Sequence, residues 1–247
     1  MTTISLQRTH GGAVSMLPRH GYPTSDPVQS PYRIPGTASF HELAASLGVQ
    51  QLVRTFGPAF PHMRVLRDLV IPMPAACPVR TARIDAVIVC ETGVYLFEIK
   101  AWRNAFVYRK NSDQAPPRWF LRLHGCSRAR EVSDPALQGG RKTTQLRSLL
   151  PDDLRLQYFV LLPCEGVELE GVMPAAIVTH QDLSYIARLA RNNGRTARSY
   201  PLLSADAIER TVQLLVDIQG ELTIDDHMHN CREGREGREG ASALTTQ

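Results

Sequence analysis

The chain has 247 residues, 43% of them hydrophobic and 21% charged, with a formal net charge of +4. That length suits one sizeable domain, and the composition is that of an ordinary globular chain rather than a fibrous one. No apolar run reaches the ~18 residues of a membrane-spanning helix, and five cysteines without a repeated spacing fit reduced thiols better than a disulfide framework or a zinc ribbon.

Residues 1–35 carry Gly, Pro, Ser and Thr without a sustained period and read as a flexible arm. They lack the continuous apolar stretch of a secretory signal, so the expected compartment is the cytoplasm. A domain is expected over 36–222. It opens with a helix, SFHELAASLGVQQLVRTF, in which Phe40, Ala44, Leu47, Leu52, Val53 and Phe56 form an apolar stripe and Gly57-Pro58 marks the end. Strands are predicted at 64–72, 82–90, 93–102, 105–109 and 118–123, mostly apolar runs bounded by Pro, Thr and Gly.

Asp134 as N-cap and Pro135 at the first helical position predict the next helix. Gly139 and Gly140 weaken its first turns, so the regular part is expected from Arg141. Strands follow at 156–163 and 175–180. Helices follow at 181–191 and 204–220, the second capped by Ser204 and closed by Gly220. This order predicts an α/β fold with a central mixed β-sheet flanked by helices. Residues 223–247 are expected to be a disordered tail, because CREGREGREG has nothing to bury. Just before that repeat, His227, His229 and Cys231 can be read as metal ligands or as a solvated His-rich stretch.

The stretch RIDAVIVCETGVYLFEIKAW (83–102) interrupts two apolar strands with Asp85, Glu98 and Lys100. Successive strand residues point to opposite faces, so Glu98 and Lys100 share one. A hairpin whose turn centres between Glu91 and Thr92 pairs Cys90 with Gly93 and Asp85 with Glu98, with Cβ atoms ~5 Å apart. Carboxylates that close repel unless one is protonated or a cation sits between them. Mg²⁺ suits such a pair, since it takes one or two carboxylates and keeps water. The alternative is a solvated sheet face carrying three ordinary charges. Three features favour a site. The flanking residues are apolar on both faces, as in a covered strand. The hairpin brings the charges together. Lysine stands at 100 in a chain with only three lysines among 28 basic residues, and lysine offers a compact, tunable ammonium where arginine does not.

At these residues the chain resembles the nuclease-related domain family, within the PD-(D/E)xK, restriction-endonuclease-like superfamily. The resemblance rests on RIDAVIV, GVYLFEIKAW and the block SDPALQGGRKTTQLRSLL, which is similar to the family's Asn-Pro-x-x-Gln element. It implies a restriction-endonuclease-like core, Asp85 and Glu98 as ligands of Mg²⁺ (or Mn²⁺), Lys100 assisting the attacking water, and Gln138 beside the site. The substrate implied is DNA, with RNA as a second possibility. One departure stands out: the family's first-helix acid is missing, and Gln50 or Gln51 occupies the place where it is expected. A nuclease-fold module that binds nucleic acid or a protein partner without turnover is therefore the alternative function. Trp102 for base stacking and Arg103, Arg141 and Lys142 for phosphates are the candidate nucleic-acid contacts. Trp119 could also stack, although core packing is the plainer reading of it.

Overall fold

The computed structural model describes residues 39–77, 79–111, 116–196 and 200–233. The predicted arm over 1–35 and the end of the tail over 234–247 lie outside them. Helix α1 (Phe40–Phe56) begins where the Ser39 hydroxyl accepts the Glu42 N–H and the Glu42 carboxylate accepts the Ser39 N–H. Two helix-end donors are satisfied at once. The buried stripe is Ala44, Gly48, Val49, Leu52 and Phe56, whereas Phe40, Leu47 and Val53 face outward. Gly57 does not adopt a left-handed stop; its φ of −50° leads into a 3₁₀ turn at Gly57–Ala59.

The strands in chain order are β1 (Arg64–Pro72), β2 (Thr81–Cys90), β3 (Gly93–Ile99), β4 (Ala105–Lys110), β5 (Arg118–Leu123), β6 (Arg130–Val132), β7 (Leu156–Leu162), β8 (Val167–Glu170) and β9 (Ile177–Thr179). Among the described residues they form two sheets rather than the single one expected. The larger runs β1-β2-β3-β7-β9 and the smaller β6-β5-β4-β8. In the larger sheet β1, β2 and β3 are antiparallel, while β3 pairs with β7, and β7 with β9, in parallel. A parallel neighbour needs a crossover. Part of the β3-to-β7 connection is helix α2 (Pro135–Leu149), capped by the Asp134 carboxylate accepting the N–H groups of Ala136 and Leu137. Pro135 sits at its first position, so α2 runs straight through the glycine pair instead of starting at Arg141. The physical reason is packing. A Cβ on Gly139 would lie 1.7 Å from the Tyr158 ring, so the helix approaches β7 only because that side chain is absent.

Helices cover both faces of the larger sheet, which is why its central strands are apolar throughout. On one side α1 and α3 (Leu183–Thr196) bury Leu52, Phe56, Ile186 and Ala187 against Ala86, Ile88 and Phe97. On the other, α2 and α4 (Ala205–Gln219) bury Leu146, Ile208 and Leu215 against Ile84, Val87 and Leu96. The smaller sheet lays Val107, Trp119 and Leu121 on Val160, Leu162 and Ile177. Trp119 is therefore a core residue and not a stacking platform.

Further differences from the sequence reading are local. β3 ends at Ile99, leaving Lys100 to Trp102 outside the strand. β6 and β8 were not expected, being only 3 and 4 residues long. The tail is not irregular from 223 onward, because residues 224–233 form a further helix, α5. Its first turn is secured by the Asp226 carboxylate accepting from both the N–H and the hydroxyl of Thr223.

Candidate active site

The β2–β3 ladder runs from Cys90↔Gly93 to Ala86↔Phe97, the register expected of the hairpin. One more step sets Asp85 opposite Glu98, and there the ladder stops. The Ile99 N–H is taken by the Asp85 carboxylate, Oδ2 at 2.7 Å, in place of a strand carbonyl. Beyond that point β2 stays paired with β1 alone, through Ile84, Arg83, Ala82 and Thr81. The sheet thus opens between two of its inner strands at the place where two carboxylates meet.

Four cationic groups or amide partners fill this opening. Glu98 is 9% exposed, and its Oε1 accepts from the Lys100 ammonium at 2.9 Å. Lys100 also donates to Gln138 Oε1 on α2 at 3.3 Å. The other Glu98 oxygen accepts from Lys142, one turn further along α2, and Lys142 also donates to the Arg83 carbonyl. Arg83 in turn bridges Asp68 Oδ1 at 2.8 Å and Asp85 Oδ1 at 3.3 Å. Asp68 lies in step with Asp85 on the neighbouring strand, between Arg67↔Ala86 and Leu69↔Ile84, with a left-handed φ of 56°. Three carboxylates (Asp68, Asp85, Glu98) and three cations (Arg83, Lys100, Lys142) are therefore interleaved across β1, β2, β3 and α2.

The two central acids are driven apart. Burial first, and then the Glu98 charge, push the Asp85 carboxyl above its ordinary value, against the Ile99 N–H, Lys142 and Arg83. Burial is also the largest single influence on Glu98 and acts upward. The charges and hydrogen bonds of Lys142 and Lys100 together outweigh it and hold that carboxyl below its usual range. Tyr158 is pushed up by burial and by the nearby Glu98 and Asp85 charges, so it stays a phenol. Its hydroxyl donates to the Pro135 carbonyl at 3.2 Å, tying β7 to the start of α2.

Asp85, Glu98, Lys100 and Gln138 come together. Lys142, expected on a nucleic-acid surface, stands inside the same cluster. Trp102 is partly buried against the core of the smaller sheet. Arg103 and Arg141 are exposed, the Arg103 guanidinium lying 4.5 Å from the Phe40 ring centre. Gln50 faces solvent. Gln51 donates from Nε2 to the Pro163 carbonyl at 3.0 Å, and its buried Oε1 has no hydrogen-bond partner among the described residues. Neither glutamine brings a negative charge to the site. Asp68 and Arg83 were not singled out from the sequence. Their signals were a lone acid in the apolar run RVLRDLVIP, and a cation two residues before Asp85, hence on its face.

Helix α5 reaches the edge of this cluster. His227 Nδ1 is 3.0 Å from the Thr81 hydroxyl. Burial, then the Lys142 and Arg83 charges, depress its imidazole. Cys231 Sγ lies 3.6 Å from His227 Nε2, while His229 reaches Glu233 at 3.2 Å. Among the described residues no group of three or more His, Cys, Asp and Glu side chains is placed to hold a metal, so these residues do not form one.

The family model for the nuclease-related domain matches residues 44–166. Residues 44–166 belong to the nuclease-related domain family. The matched stretch runs from within α1 to beyond β7 and contains the whole charged opening. Helices α3, α4 and α5 lie outside it. Neither the curated proteins nor the solved structures give a match.

Whether the nuclease-related domain can take a divalent ion is a question of donor chemistry. Asp85 and Glu98 are hard oxygen donors converging from adjacent strands, and burial beside Glu98 raises the Asp85 carboxyl. That donor set fits Mg²⁺ or Mn²⁺ bound with retained water. It is a two-carboxylate set, without the family's first-helix acid.

Proposed function

We propose that this nuclease-related domain hydrolyses phosphodiester bonds in DNA with Mg²⁺ or Mn²⁺ held by Asp85 and Glu98. The observation that carries the proposal is the opening of the sheet at Asp85. There Glu98, Lys100 and Gln138 converge on one side of β3, with Lys100 held between Glu98 at 2.9 Å and Gln138 at 3.3 Å. When bound, the cation supplies positive charge for the phosphate and lowers the pKa of a water.

Every other role falls to the chain. Asp85 is oriented by the Ile99 N–H, and Glu98 stays ionised because Lys142 and Lys100 face it. Lys100 positions the attacking water and offsets the charge that builds on the phosphorane. Gln138 keeps the Lys100 ammonium from folding back wholly onto Glu98. The water gives up a proton to solvent as its oxygen bonds to phosphorus, the opposite P–O bond breaks, and the leaving oxygen takes a proton from solvent. Arg103 and Arg141, being exposed, meet backbone phosphates nearby, and RNA offers the same phosphate chemistry.

Gln51 favours a second reading. Its amide is engaged with the Pro163 carbonyl and adds no charge, so a module that binds nucleic acid or a protein partner without cutting is the alternative. The test is cleavage of plasmid DNA by the full chain with millimolar Mg²⁺. Asp85→Ala, Glu98→Ala and Lys100→Ala are each expected to lower the rate by about 100-fold or more. Cleavage that survives excess EDTA, or those changes, would rule the mechanism out. DNA binding without cleavage would favour the module.

A further inference from the structure

Lys142 occupies an unusual position for a lysine. Its ammonium lies between a carboxylate oxygen of Glu98 and the Arg83 carbonyl, which belongs to the part of β2 that β3 no longer pairs with. Both acceptors are hard oxygens, and both belong to the opening beside Asp85. Each of the four Asp85 and Glu98 carboxylate oxygens already has a donor: the Ile99 N–H, Arg83, Lys100 and Lys142. Each oxygen keeps a further lone pair, but an ion seated between Glu98 and the Arg83 carbonyl would take the place that the Lys142 ammonium fills.

The donors differ in where they sit. The Ile99 amide is fixed by the backbone. Arg83 links Asp68 to Asp85 and Lys100 links Glu98 to Gln138, whereas Lys142 spans the opening itself, from Glu98 on β3 to the Arg83 carbonyl on β2. Lys142 is the donor that acts on both acids, holding Glu98 down and opposing the rise of Asp85, whereas Lys100 acts chiefly on Glu98. The charges also balance at three against three. Adding two positive charges while every cation stays would leave an uncompensated excess in a largely buried cluster.

We propose that Lys142 is the resident cation of the Asp85–Glu98 pair and that a divalent metal binds by displacing its ammonium. This rests on the metal-binding reading above and adds an order of events to it. Before the metal arrives, Lys142 keeps the two carboxylates together in their open sheet. Once displaced, the same ammonium is free at the mouth of the opening to meet the anionic substrate.

The experiment is calorimetric titration of the full chain with Mn²⁺, comparing wild type, Lys142→Met and Lys142→Arg. Methionine keeps most of the stem and removes the charge, so Lys142→Met is expected to bind Mn²⁺ about tenfold more tightly, a difference of about 1.4 kcal/mol. Lys142→Arg keeps the charge and is expected to stay near wild type. Unchanged or weaker binding by Lys142→Met, with wild type binding normally, overturns the inference and leaves the metal reading intact. No Mn²⁺ binding by either protein overturns both. A second measurement needs no uncharged variant, because the chain has only three lysines. With ¹³C-labelled lysine, saturating Mg²⁺ should move the Lys142 ε-methylene resonance, assigned by its loss in Lys142→Arg. Lys110, exposed beside the Phe120 ring, should stay still. A Lys142 signal unmoved by bound Mg²⁺ also overturns the inference.

Discussion

At the scale of single residues, the site is organised by where charge is allowed to be buried. Glu98 sits almost inside the sheet, and two ammonium groups keep it ionised there. His227 shows the same field from the outside. Its imidazole is depressed by burial and by the Lys142 and Arg83 charges, with Glu98 and the Thr81 contact pulling the other way. A histidine whose folded pKa lies below the ordinary 6.5 binds its proton more weakly folded than unfolded. Its contribution to stability is therefore complete above that value and is lost as the pH falls through it. Wild type should lose more melting temperature than His227→Gln on moving from about pH 7.5 to about pH 5.5. Equal losses would show that His227 feels no such field.

At the scale of elements, the close approach of α2 to β7 positions Gln138 and Lys142 over β3. That approach depends on one missing side chain. Gly139→Ala would drive a methyl into the Tyr158 ring and should cost about 2 kcal/mol or more, as overpacking does. Gly140, its exposed neighbour, has nothing within 4 Å of where its Cβ would lie. There alanine should stabilise by up to about 1 kcal/mol through helix propensity alone. Urea unfolding midpoints of the two variants should move in opposite directions. Two variants that both stabilise would mean that the helix can lift off the sheet without penalty. The pair also explains why the sequence pointed to a late helix start. Propensity penalises both glycines equally, and the tertiary contact that rewards one of them leaves no local trace.

At the scale of the whole molecule, α5 is an addition to a core that is closed without it. Among the described residues the three buried clusters contain none beyond Ile218, and His227 of α5 meets Thr81. A chain ending at residue 222 should lose from its circular dichroism spectrum only the helical signal of α5 and melt only a few degrees lower, since about 1 kcal/mol corresponds to ~2–4 °C in a domain of this size. Loss of cooperative melting would show that α5 is part of the folding unit.

The hairpin register, the capping of α2 and α4, and the strands that build the larger sheet were legible in the residues, because each follows from local rules. Side chains alternate in a strand, Ser and Asp cap helices, and a two-residue turn sets pairing. From those rules alone Asp85 falls opposite Glu98. What lay beyond them depends on pieces of chain far apart in sequence. Lys142 faces Glu98 across 44 positions, Gln51 turns to Pro163 across 112, and Thr81 meets His227 across 146. No periodicity encodes such meetings. They arise when helices are laid on a sheet and charged groups, unable to reach enough water, settle against whichever opposite charges the packing leaves within reach.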